Sequence, residues 1–301
     1  MNARCAIMSD STCDLSASRA ADLGVGILPF HYTEPNVEEG GLCGDDDLFT
    51  SMSAHDFYDA IRAGACPMTS QPSPLEFEQA FEDTLARKEP TVLFCISSGL
   101  SGGYEGASTA LRRVRENHPE SADVPVRVID TYSASTPMNL LVEAACERRD
   151  AGMSAHEIAV WAGEARWRLQ TLFMVDDLDA LHRGGRVPKT VATIGGALDV
   201  KPLLTFDLAG KLAIAGMSRG RRKGLRKLAQ GFLAHRAQGD EGLVVAIGDA
   251  DCPEDGDMLA DMIRDECPNV RVLRSTIGPT IGSHVGPGMV SCCYWGKDRR
   301  A

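Results

Sequence analysis

The sequence predicts an α/β fold in two parts: a doubly wound parallel sheet up to about residue 165, then a second α/β region with a mixed sheet. Three observations predict it. Apolar runs of strand length alternate with helical periods through the first half, as strand–helix–strand crossovers require. Glycine stands just past several helical segments, where helices stop. A hairpin signature appears only in the second half. With 301 residues, the chain has length for one large or two ordinary domains and for a sizeable core.

In the first half, strand-like runs fall at 5–8, 25–30, 91–96 and 126–129, and helical segments at 16–23, 55–63, 74–86, 104–116 and 137–149. Gly24 and Gly64 close the first two helices. The third begins on Ser73 as N-cap, Pro74 at N1 and Glu76 at N3, a capping box. Buried strands joined through helices pair in parallel with right-handed crossovers. Ligands of such sheets sit outside the carboxyl ends of the strands.

In the second half, Ser154 and Glu157 form another capping box, followed by a strand at 172–175 and a helix-like stretch at 176–187. Strands at 202–206 and 212–217 flank the turn residues 207–210, which reads as a hairpin and makes the sheet partly antiparallel. A helix at 221–236, a strand at 243–247, a helix at 253–266 and a strand at 270–273 follow. A glycine-rich loop at 278–288 and a strand at 289–294 close the pattern. The change of topology places a boundary near 165, giving regions 1–165 and 166–301 with a cleft between them.

Composition narrows the function. Thirty-one basic against 42 acidic residues give a net charge of −11, which argues against coating nucleic acid or an anionic membrane. No apolar run reaches the roughly 18 residues of a membrane span, and residues 1–12 lack a signal peptide's apolar stretch. Ten cysteines occur with no Cys-x-x-Cys pair. A chain this long needs no disulfide staples, so they read as reduced, mostly buried thiols of a cytosolic protein.

The chemistry-bearing residues are hydroxyl-rich. Ser9-Asp10-Ser11-Thr12 follows the first strand, Ser97 to Gly103 the third, and Thr131-Tyr132-Ser133 the fourth. Each precedes a helix, whose N-terminal amides favour an anion. Helix capping accounts for any single serine; three glycines within 97–103 exceed what capping needs. Thr69-Ser70-Gln71-Pro72-Ser73 is a further hydroxyl-rich turn. His284, in a glycine- and proline-bound stretch, is either an exposed loop residue or an anion donor, base or acid. No metal-ligand spacing surrounds it. Arg219, Arg221, Arg222, Lys223, Arg226 and Lys227 form a basic run, either a solvated helix face or a docking patch for an acidic partner.

These residues resemble the DegV family in order along nearly the whole chain. Met8 to Leu15 is similar to its Asp-Ser-Thr-x-Asp-Leu opening, and Thr69 to Ser73 to its Thr-Ser-Gln-Pro-Ser motif. Ser97-Ser98-Gly99-Leu100-Ser101-Gly102 is similar to its Ser-Ser-x-Leu-Ser-Gly motif. Val128-Ile129-Asp130 with Ser133-Ala134-Ser135, Asp177-Leu178 with Arg183-Gly184-Gly185-Arg186, Lys201-Pro202 and Arg219-Gly220-Arg221 also fit, and Ser283 to Gly288 resembles Thr-His-x-Gly-Pro-Gly. The resemblance implies a two-domain α/β fold that binds one long-chain fatty acid between its domains, with no cofactor. It also implies presentation of the carboxyl group to an acyl kinase of the dihydroxyacetone-kinase-like type. By position, the carboxylate ligands would be Thr69, Ser97 or Ser98, and His284. Two departures stand out: Gly103 where threonine is usual, expected to alter the head-group bonds, and Pro137, expected to reshape the tail tunnel.

The chemistry suits a fatty acid. Burial contributes about 0.8 kcal/mol per methylene, about 10 kcal/mol for a sixteen-carbon chain. Neutral hydroxyls and an imidazole then suffice for the head group, without the desolvation cost of a buried arginine. Two enzymatic readings compete. Gly216-Met217-Ser218-Arg219-Gly220 fits a hydrolase elbow, and Ser218, Asp249 and His284 stand in an esterase's order. Its strand, however, is half of a hairpin, and no oxyanion-loop motif precedes it. A phosphosugar or dihydroxyacetone-type kinase would need a phosphate loop or a placed acidic cluster, and neither is evident. The sequence reads as a binding protein rather than an enzyme.

Overall fold

The computed structural model describes residues 5–35, 40–188 and 199–301. Its first half runs β1 (Ala6–Asp10), α1 (Ala17–Leu23), β2 (Val25–Leu28), β3 (His31–Thr33), β4 (Cys43–Asp45), α2 (Ala54–Arg62), β5 (Met68–Ser70), α3 (Pro74–Ala86), β6 (Thr91–Cys95), α4 (Gly103–Asn117), β7 (Val126–Asp130), α5 (Thr136–Asp150) and α6 (Ala155–Ala165). The second runs β8 (Leu169–Met174), α7 (Asp179–Arg183), β9 (Val200–Phe206), β10 (Leu212–Arg219), α8 (Arg221–His235), β11 (Val244–Asp249), α9 (Pro253–Glu266), β12 (Arg271–Thr276), α10 (Pro279–Val285) and β13 (Val290–Trp295).

The first sheet is parallel throughout, in the order β2-β1-β6-β7. All five residues of β6 are buried, as a central parallel strand covered on both faces must be. Phe77, Phe81, Ala107 and Val114 of α3 and α4 cover one face; α5 and α6 cover the other. The second sheet has the order β10-β9-β8-β13-β11-β12 and is antiparallel except for β11 and β12, which flank the crossover helix α9. This is the doubly wound sheet plus mixed sheet that the patterning predicts.

Helix α5 lies where the two sheets meet. Twelve of its 15 residues are buried, so it shows no one-sided apolar stripe. Met138, Leu141 and Ala145 share one core with Ile7 and Phe94 of the first sheet and with Ala246, Cys293 and Trp295 of the second. Pro137 falls in its first turn, where the missing N–H costs nothing.

Two features differ from expectation. A small antiparallel sheet, β4-β3-β5, stands between β2 and α3. Each of its strands has three residues, too short for a period-two signal. Tyr32 pins it down, edge-on to buried Phe57 at 5.5 Å. The glycine-rich stretch expected as a loop contains helix α10. Its first turn takes Pro279, and its amides meet carboxylates remote in sequence: Gly278 N donates to Asp14 Oδ1 at 2.9 Å and Thr280 N to Asp46 Oδ2 at 3.1 Å. Negative charge at a helix N-terminus is stabilising.

All ten cysteines are free thiols. No helix among the described residues is long and apolar enough to cross a membrane.

Candidate ligand-binding cavity

An apolar cavity of about 60 Å³ lies between the two sheets. Phe30, Ile96 and Leu100 wall it from the first half, and Phe206, Leu212 and Met289 from the second; Pro137 also lines it. Its polar residues include Thr69, Ser101, Arg186 and His284. A larger recess of about 420 Å³ mixes apolar Leu15, Leu48 and Phe49 with the charges of Asp14, Asp249, Asp251 and Arg274, so an acyl tail there would lie against charged groups.

Thr69 ends up here because β5 pairs with β3, and His284 because α10 is clasped by Asp14 and Asp46. Thr69 Oγ1 and His284 Nε2 are 2.8 Å apart. Burial, reinforced by the positive charges of Arg186 and Arg183, pushes the imidazole down to about 4, so the ring is neutral near pH 7. Threonine hydroxyl and neutral imidazole share one hydrogen bond. Whichever donates, the pair keeps one further donor: the imidazole Nδ1–H in one tautomer, the hydroxyl in the other. His284 Nδ1 has no hydrogen-bond partner among the described residues. It lies against Gly184, where a Cβ would fall 2.3 Å away, so only glycine leaves the ring its place.

Arg186 is the residue that the sequence reading passed over. Its Nε donates to Leu100 O at 3.2 Å and its Nη1 to Gly184 O. It makes no ion pair with any described residue, and burial lowers its pKa. The head group was expected to need no buried arginine; instead a half-buried guanidinium stands in the cavity wall beside His284. The signal was the Arg183-Gly184-Gly185-Arg186 motif itself.

Ser97 and Ser98 sit differently from Thr69 and His284. Ser97 is fully buried, donates from Oγ to Gly210 O at 2.8 Å and accepts from Gly99 N at 3.1 Å. Ser98 N donates to Asp130 Oδ1 at 3.2 Å. The serine of this loop that lines the cavity is Ser101. Gly99 touches the β9–β10 turn so closely that a Cβ would lie 2.5 Å from Ala209 O. A Cβ on Gly103 would meet Phe30 and Ile96 at an ordinary 3.5 Å, so the missing threonine leaves space beside the wall.

The basic run divides. Arg221 is a tie between loops: Nη1 pairs with Asp176 at 3.0 Å, Nη2 donates to Gly288 O at 2.6 Å, and Nε pairs with Asp255. Arg219 and Arg222 are exposed and form no ion pair with a described residue. The hydrolase reading is corrected. Ser218 Oγ donates to Gly220 O at 3.4 Å, Asp249 is taken by Arg274 at 2.8 Å, and His284 by Thr69. These three residues form no serine–histidine–aspartate relay.

One described group has metal-ligand geometry: His55, Asp59 and Asp251, with donor atoms within 4.8 Å of one another. Arg62 Nη1 pairs with both carboxylates, at 2.7 and 2.5 Å, so a guanidinium already neutralises them.

These features define a class: an α/β protein whose sheets enclose an apolar cavity lined by a few polar side chains. The chain belongs to the DegV family, whose model, described as "Uncharacterised protein, DegV family", matches residues 4–297. It is 34% identical over 293 residues to a DegV domain-containing protein of Clostridium perfringens, covering 97% of this chain and 98% of that one. Among solved structures it is similar to a DegV lipid binding protein of Thermotoga maritima, at 25% identity and a TM-score of 0.81 over 98% and 99% of the two chains. It is also similar to a DegV family protein of Thermus thermophilus described by its fatty acid binding, at 27% identity and a TM-score of 0.80 over 98% and 100%.

Proposed function

We propose that this protein is a non-catalytic carrier that holds one long-chain fatty acid in the cavity and presents its carboxylate to an acyl kinase of the dihydroxyacetone-kinase-like type. One observation carries this: an almost wholly apolar cavity is lined by Thr69, His284 and Arg186, donors with no carboxylate to serve among the described residues. In this reading Thr69 and His284 bond the carboxylate, Arg186 supplies countercharge, and Ser97 with Ser98 shapes the loop that brings Ser101 to the wall. The ligand lies where regions 1–165 and 166–301 meet, and the protein works in the cytoplasm. Arg219 and Arg222 dock the kinase, with Arg221 holding their base in place.

A cavity of roughly 150 Å³ holds benzene, so 60 Å³ takes a long chain only as wall side chains move apart. Met289, flexible and unbranched, suits that. The gain of about 0.8 kcal/mol per methylene drives the rearrangement.

Native mass spectrometry of protein purified from cells, before and after organic extraction, tests the reading. A mass excess of one fatty acid, lost on extraction and regained on incubation with the acid, supports it. Protein that takes up no fatty acid overturns it.

A further inference from the structure

We propose that the preferred ligand is a fatty acid bearing a hydroxyl on one of the carbons next to its carboxyl group, and that Thr280 recognises that hydroxyl. The proposal rests on the fatty-acid reading and narrows its ligand class. Thr280 lies one helical turn before His284 on α10. At that spacing Cβ atoms share a face roughly 5–6 Å apart, and both residues line the cavity.

Thr280 is 2% exposed. Its amide is used by Asp46. Its hydroxyl lies near enough to the Asp46 carboxyl to favour the ionised form, yet reaches no described partner with hydrogen-bond geometry. Neighbouring hydroxyls are committed: Ser135 donates to Asp14 Oδ2 at 2.5 Å, Ser291 bonds Thr136 at 2.7 Å, and Ser283 donates to Pro279 O at 2.7 Å. A hydroxyl buried without a partner is costly, and valine would fill the same volume without that cost.

With its carboxylate at Thr69 and His284, an unsubstituted acid offers Thr280 only methylene. A 2-hydroxy or 3-hydroxy acid carries its hydroxyl a few atoms from the carboxylate, the reach that one helical turn demands. A site built to bond a ligand hydroxyl discriminates against the ligand lacking it more sharply than a pocket discriminates by size.

The test compares tetradecanoic, 2-hydroxytetradecanoic and 3-hydroxytetradecanoic acids on the lipid-stripped full chain, by displacement of a fluorescent fatty acid. One hydroxy acid binds about three- to tenfold tighter than the parent acid, the worth of one net hydrogen bond. Thr280→Val removes the preference, whereas Thr280→Ser retains it. Equal or weaker binding of both hydroxy acids to the unaltered protein overturns the proposal, as does a preference that survives in Thr280→Val. Failure of all three acids to bind overturns the fatty-acid reading itself, so the two failures are distinguishable.

Discussion

Two buried polar clusters lie on either side of α10, and they differ in how their atoms are satisfied. Asp10 accepts from Thr12 N, the Thr12 hydroxyl and Ile96 N; Asp14 accepts from the Ser135 hydroxyl and Gly278 N; Asp46 accepts from Thr280 N. The other cluster is short of partners among the described residues: Arg186 reaches only carbonyls and His284 Nδ1 has no hydrogen-bond partner. Carboxylates met by main-chain and hydroxyl donors hold a fold together. Donors left without acceptors are what the proposed carboxylate would satisfy.

The contrast predicts that the two clusters break in different assays. Asp14→Ala strips the acceptor from Gly278 N and the Ser135 hydroxyl, and should destabilise by about 3 kcal/mol, read by chemical denaturation. A loss near zero would assign Asp14 to the ligand instead. His284→Ala should weaken fatty-acid binding about 10- to 100-fold, the worth of a hydrogen bond to a charged group, with the melting temperature nearly unchanged. Gly184→Ala should act in the same direction by displacing the ring, and ligand titration checks both.

pH sharpens the comparison further. Burial raises Asp10 and Asp46 to about 6, above their unfolded values. Their stabilisation is therefore complete at acid pH and lost as pH rises through 6, about 1 kcal/mol each between pH 5 and 7. His284, depressed to about 4, slopes the opposite way, because the unfolded ring gains a proton first as pH falls. The two slopes oppose each other, with Asp14, also raised by burial, on the side of Asp10 and Asp46. In His284→Ala the acid side should gain about 2 kcal/mol relative to pH 7, measured as denaturation midpoints at both pH values. The smallest effect on binding belongs to the surface: Arg219→Glu with Arg222→Glu should leave fatty-acid affinity unchanged yet slow phosphorylation several-fold, most at low salt.

Much of this was legible in the residues, and unevenly. The parallel sheet, both capping boxes and the hairpin declare themselves locally, through burial period and turn chemistry. Thr69 and His284 are singled out through the family resemblance of their motifs, while a hydroxyl-rich turn and a glycine-bound histidine on their own leave their role open; both line one cavity. Helix α10 was not foreseen, since the groups that induce it, Asp14 and Asp46, are remote in the chain. The small sheet was missed because its strands are three residues long. Arg186 escaped for a different reason: nothing in a sequence shows that a guanidinium lacks a carboxylate, because that is a property of its surroundings.

Strand β13, last in chain order, is fully buried between β8 and β11. During synthesis both neighbours are complete long before it emerges, and their facing backbone edges stay open until it slots between them. Open edges of that kind pair readily with foreign chains. A product stopped short of Val290 therefore leaves the facing edges of β8 and β11 bare, a vacancy that only the complete strand closes.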